Sequence, residues 1–163
     1  MRLQMELSTA ATLVRSIPPQ TATLQTMTAL ARPIQVLLVE DDPDSAALVE
    51  AYLTQDEAHS FRVEWAPNLV ETMVRLGKPG VDVILLDLGL PELSGYKSYR
   101  AVEATVEGKV PIVILTSDER NLSKELTMGF GAADYLLKSA NSPSQLRQAL
   151  LNAIVLFRPR ETE

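Results

Sequence analysis

Residues 81–95 read VDVILLDLGLPELSG. Val81, Val83, Ile84, Leu85 and Leu86 form a short, nearly continuous apolar run, the pattern of a parallel strand covered by helices on both faces. Gly89 loosens the backbone beyond it and Pro91 lacks a ladder donor, so the carboxylate of Asp87 is expected at the carboxyl edge of this strand. In open parallel sheets, ligands bind at that edge.

A lone aspartate in such a place serves more often as a turn or cap residue. Here three further runs end in polar groups of complementary kinds. Residues 34–39, IQVLLV, lead into Glu40-Asp41-Asp42; residues 110–115 lead into Thr116-Ser117; Tyr135-Leu136-Leu137 leads into Lys138. Carboxylates, a hydroxyl and an ammonium are thereby offered to one shared rim.

Helix-length segments alternate with these runs, the signature of βαβ units and a parallel sheet. Pro43 suits the first turn of a helix that continues through Ala46, Ala47, Val49, Tyr52 and Leu53. Residues 61–65 read as a second strand, with Trp65 packing at its end. Pro67 is expected to open the next helix, with Leu69, Val70, Met73, Val74 and Leu76 as its apolar stripe, and Gly77 and Pro79-Gly80 to end it. Further helices are expected over 96–106, over 119–128 with a stop at Gly129 and Gly131, and from Ser142-Pro143 onward, the last with Leu146, Ala149, Leu150, Ala153 and Ile154 toward the sheet. Five βα units with right-handed crossovers give a flavodoxin-like, doubly wound (βα)5 sheet of strand order 2-1-3-4-5.

The segments LLVEDDP, DVILLDLGLPELSG, PIVILTS and GAADYLLK stand in the order and near the spacings of the receiver domain of two-component response regulators. The chain resembles that family from about residue 34 to residue 157. The resemblance implies a phosphoacceptor at Asp87, an ammonium contact to the phosphoryl group from Lys138 and a hydroxyl contact from Thr116. It makes Tyr135, with Thr116, a switch residue that moves when the phosphoryl group arrives. The donor it implies is a phosphohistidine on a sensor histidine kinase or a histidine phosphotransfer protein, with small acyl phosphates as substitutes. A self-catalysed phosphorylation and dephosphorylation is implied rather than a conventional turnover enzyme.

Elementary electrostatics points to a cation at the same rim. Clustered carboxylates repel and raise one another's pKa unless a positive charge neutralises them. Hard oxygen ligands with room for water suit Mg²⁺. Asp41 and Asp87 are expected to ligate directly, Glu40 through water, and the backbone carbonyl of Gly89 to add an oxygen. Asp42 is expected to cap the following helix. An EF-hand loop is excluded because its central Gly and terminal Glu spacing are missing.

One departure from the family concerns the residue after Lys138, where Ser139 replaces the usual proline, often cis. A non-proline cis peptide costs about 3 kcal/mol, so this loop is expected to be strained or differently shaped. Ser139 is the best support for the alternative reading, a receiver-fold interaction module that signals without phosphorylation. An aspartyl-phosphate phosphatase would need a second acid where Gly89 stands. A flavin site would need to cradle a phosphate where Glu40-Asp41-Asp42 repel it.

The 163 residues suffice for one domain, and 46% apolar residues provide its core. A formal charge of -6 argues against nonspecific nucleic-acid binding. There is no cysteine for a disulfide or thiolate site, no apolar stretch of membrane-spanning length, and no uninterrupted signal-peptide core, so a cytoplasmic protein is expected. Residues 1–33, rich in Thr, Ala and Gln and broken by Pro18-Pro19, read as a flexible extension, with Met27 as an alternative start. Residues 158–163 read as a C-terminal tail. With no effector domain after the last helix, the expectation is a stand-alone receiver, or a fragment of a longer protein, acting on a downstream protein target. A homodimer through the last two helices and the fifth strand is a further expectation. His59 and the Asn121-Leu122-Ser123 sequon carry no functional expectation.

Overall fold

A computed structural model describes residues 32–55, 60–93, 95–120, 129 and 131–159. Five strands, β1 (Ile34–Val39), β2 (Phe61–Ala66), β3 (Val83–Leu86), β4 (Ile112–Thr116) and β5 (Asp134–Leu137), form one parallel sheet in the order β2-β1-β3-β4-β5. The helices are α1 (Pro43–Thr54), α2 (Leu69–Leu76), α3 (Tyr96–Val106) and α4 (Pro143–Leu156), with a 3-10 turn at Lys138–Ala140. The expected doubly wound topology is therefore the observed one. Residues 119 and 120 are helical and begin the helix expected over 119–128; residues 121–128, His59, the sequon and nearly all of the 1–33 extension lie outside the described residues, as do residues 160–163.

The alternation of the strands divides the core into two layers. Val36, Leu38, Val83 and Leu85 face one side, where α1 and α4 bring Leu53, Leu146 and Leu150. Leu37, Val39, Ile84 and Leu86 face the other, where α3 brings Tyr99 and Val102. All four residues of β3 are fully buried, as a central strand covered on both faces requires. Each such side chain contributes about 1.5–3 kcal/mol by leaving water.

The helix ends are chemically specified. Asp42 caps α1, its carboxylate accepting the Asp44 and Ser45 N–H groups and the Ser45 hydroxyl. Those hydrogen bonds hold the Asp42 carboxyl below its ordinary pKa. Ser142 and Gln145 close a reciprocal capping box on α4. Gly95, ahead of α3, has φ +60° and donates its N–H to Leu88 O at 2.9 Å, a conformation that a side chain would strain.

Helix α2 corrects the sequence reading. It begins at Leu69 rather than at Pro67, because Asn68 is the extended cap residue and its Oδ1 accepts the Glu71 N–H at 2.9 Å. Its inward face is Leu69, Thr72, Met73 and Leu76, whereas Val70 and Val74 are exposed. Thr72 is fully buried because its hydroxyl donates to Asn68 O at 2.8 Å, so a polar letter sits in the apolar stripe.

Arg75 on α2 ties the helix to the edge strand. Its Nη2 donates to Glu64 Oε1 at 2.9 Å and its Nε to Glu64 Oε2, while Nη1 reaches the Lys78 and Pro79 carbonyls. The Arg75 hydrogen bonds hold the Glu64 carboxyl below its ordinary value near 4.5. A depressed carboxyl stabilises the fold above its unfolded pKa, and that contribution disappears as pH falls through the folded value. Arg75→Met is expected to cost less than about 1 kcal/mol at neutral pH, since the pair is partly solvated. Urea unfolding at falling pH should show the difference between wild type and variant closing below the ordinary carboxylate range.

Candidate functional site

Register brings the site together. Val39 at the end of β1 lies opposite both Ala66 and Leu86, and Thr116 at the end of β4 lies opposite Leu137. The next residues on β1, β3 and β5 are Glu40, Asp87 and Lys138. Their backbones extend the ladder by one step: Glu40 N–H donates to Ala66 O at 3.1 Å, and Asp87 N–H to Val39 O at 2.9 Å.

The side chains converge. Carboxylate oxygens of Glu40, Asp41 and Asp87 lie within 4.8 Å of one another. Lys138 Nζ donates to Asp87 Oδ2 at 3.0 Å and also to Glu40 Oε2. The second oxygen of Asp87 accepts the Gly89 N–H at 3.0 Å, and Glu40 Oε1 accepts the Asp42 N–H at 3.2 Å. Glu40 is 1% exposed and Asp87 6%, while Asp41 stands open to solvent. The pair of buried carboxylates thus forms the floor of the cluster and Asp41 its rim.

Burial pushes the Glu40 carboxyl up and the Asp87 charge pushes the same way, outweighing the hydrogen bond from Lys138. Burial also works against the Lys138 ammonium. Its hydrogen bond to Glu40 and the charge of Asp87 more than compensate, and its pKa lies above the ordinary value, so it remains protonated at neutral pH.

Three carboxylates facing one ammonium are an under-neutralised set of hard oxygen donors, one of them solvent-accessible. That set fits a Mg²⁺ ion that keeps part of its water shell. For Gly89 the structure shows the amide in contact with Asp87, a role the sequence reading did not anticipate. A Cβ added at Gly89 would stand 3.4 Å from Asp87 Oδ1, ordinary contact that leaves little spare room.

Thr116 is buried at the end of β4, and its hydroxyl accepts the Asp118 N–H at 3.3 Å. Tyr135 is half-buried and packs against the core layer of α3. The Lys138–Ser139 peptide is trans, as are all the described peptide bonds. The segment after β5 takes the shape of a 3-10 turn, with Asn141 Nδ2 donating to Leu137 O. Lys138 reaches both carboxylates from this turn.

Trp65 does not pack as the sequence reading expected. It is 45% exposed, and its indole Nε1–H donates to Glu40 O at 2.7 Å. The only signal in the sequence was its place at the end of β2, next to the strand carrying the acids.

A doubly wound parallel sheet whose carboxyl edge gathers acidic side chains and a lysine defines a receiver-type α/β domain. The chain belongs to the response regulator receiver domain family, whose pattern matches residues 36–151. It is 37% identical over 123 residues to the cell cycle response regulator CtrA of Brucella ovis, an alignment covering 75% of this chain and 50% of that protein. The chain spans about half the length of the curated relatives it matches. Among solved structures it is similar to the receiver domain of a Pseudomonas aeruginosa PAO1 sensor histidine kinase, with a magnesium ion coordinated in its active-site cleft. That match has 30% identity and a TM-score of 0.63, over 76% of this chain and 98% of the other. It is also similar to the chemotaxis response regulator CheY4 of Vibrio cholerae, at 27% identity and a TM-score of 0.60, over 75% and 99% of the two chains. Among the described residues, no helix is long and apolar enough to cross a membrane.

Proposed function

We propose that Asp87 accepts a phosphoryl group from a phosphohistidine on a sensor histidine kinase or histidine phosphotransfer protein, in the presence of Mg²⁺. Its working domain is residues 34–157, with 1–33 and 158–163 as an extension and a tail, and it acts in the cytoplasm on a downstream protein target. One observation carries the reading: the Asp87 carboxylate sits at the strand's carboxyl edge between Lys138 and the Gly89 amide, beside Glu40 and Asp41.

An Asp87 oxygen attacks phosphorus, the donor P–N bond breaks, and its electron pair returns to the imidazole; the product is an acyl phosphate. Glu40, Asp41 and Asp87 would hold Mg²⁺, which when bound offsets charge on the transferring group. Lys138, already on Asp87 Oδ2, adds an ammonium to the same oxygens. The Thr116 hydroxyl turns from Asp118 toward the phosphoryl group, and Tyr135 follows it inward. The phosphoryl oxygens thereby favour one of two surface arrangements, as a ligand must if it is to shift an equilibrium. The surface that changes is that of β5 and α4, where a homodimer would form.

A phosphorylation-independent module drew its support from Ser139. Lys138 contacts Asp87 and Glu40 across a trans peptide, which favours the phosphoacceptor reading. Incubation with a small acyl phosphate and Mg²⁺ is expected to add one phosphoryl group per chain, labile to hydroxylamine, and chelating the cation beforehand is expected to prevent that incorporation. No incorporation into folded protein would overturn the proposal.

A further inference from the structure

Trp65 is the only tryptophan in the chain, and it sits on the backbone that carries two of the three clustered carboxylates. The carbonyl that accepts its indole N–H is the one joining Glu40 to Asp41, 25 residues away in sequence. The N–H of the same Glu40 is held by Ala66 O, the neighbour of Trp65 on β2. Residue 40 is therefore gripped at both backbone groups by consecutive residues of one strand end. A peptide unit is planar, so fixing its carbonyl also fixes the direction in which the chain enters Asp41.

We propose that Trp65 is a positioning residue for Glu40 and Asp41: it sets the divalent-cation affinity of the acidic cluster, and its ring reports occupancy of that cluster. This inference rests on the phosphoacceptor reading above. The ring is half in solvent, so removing its N–H opens no buried cavity. What is lost is one directed hydrogen bond across to the acidic loop. Asp41 is exposed and has no strand beyond it to hold it, so the loop then samples orientations in which the oxygens no longer converge.

The test uses the full chain and Mg²⁺ alone. Calorimetric titration of Trp65→Phe, which keeps an aromatic ring and removes the donor, should show a Kd raised roughly three- to tenfold, the worth of one hydrogen bond. The gain in melting temperature on adding Mg²⁺ should shrink in the variant, because that gain follows the ratio of cation concentration to Kd. In wild type, indole emission should change along a saturating curve with the calorimetric midpoint. A variant whose melting temperature falls equally with and without Mg²⁺, at unchanged Kd, would show that the bond only supports the strand end and would overturn the inference. So would indole emission indifferent to a cation that calorimetry shows to be bound. Failure of wild type to bind Mg²⁺ at all would remove the phosphoacceptor reading itself, and this inference with it.

Discussion

Asp87→Asn is expected to reduce phosphoryl uptake from a small acyl phosphate to background while leaving the fold intact. The amide oxygen is a far poorer nucleophile than a carboxylate, and an acyl phosphate cannot form on it without expelling nitrogen. Shape is retained: the Asn oxygen can accept from Gly89 N–H or from Lys138, the two donors that the carboxylate serves. The charge that the Asp87 carboxylate imposes on Glu40 disappears. Metal-free stability should therefore hold or rise slightly, since one member of a repelling buried pair has become neutral. Intact mass after incubation, read beside a thermal melt, checks both halves. Continued incorporation of one phosphoryl group in the variant would place the acceptor elsewhere.

Asp87 is legible in the sequence alone because it closes an apolar run of strand length. Apolar runs ending in polar residues located β1 at Ile34–Val39 and α3 at Tyr96–Val106 with the observed limits, because Pro33, the acids after Val39 and Gly95 are strong local punctuation. Parallel topology then carried Glu40, Asp87, Thr116 and Lys138 to one edge. What the letters concealed depends on partners distant in the chain. Val70 and Val74 look like core, yet the orientation of α2 follows from the Asn68 cap and from Thr72 satisfying its own hydroxyl locally. The indole contact of Trp65 depends on how β2 registers against β1, and no local pattern announces it. The Gly89 amide was missed for a related reason: a turn's backbone donors have no letter of their own.

The second large effect concerns the counter-charge. Lys138→Met keeps an unbranched side chain of similar length and removes the ammonium that now bridges Glu40 and Asp87. Both carboxylates are nearly inaccessible to water, at 1% and 8% of their side-chain surface, so neither can recover the lost interaction by hydration. Removing one partner of a buried ion pair typically costs about 3–5 kcal/mol. Here Glu40, whose carboxyl burial already pushes up, has a less costly escape in taking up a proton. The expected loss without divalent cations is therefore about 2–3 kcal/mol, below that range. Mg²⁺ should restore much of it, because a bound cation supplies the charge that the lysine no longer does. The cation-dependent gain in unfolding free energy should consequently be larger in the variant than in wild type. Phosphoryl uptake should not recover in parallel: the ammonium also acts on the transferring group, and deleting one preorganised charge stabiliser lowers rate by roughly 10²–10³. Urea unfolding with and without Mg²⁺, set beside the rate of phosphoryl incorporation, separates the two roles. Equal stability of variant and wild type in both conditions would mean that Lys138 does not balance the acidic floor. A normal incorporation rate would mean that it takes no part in the transfer.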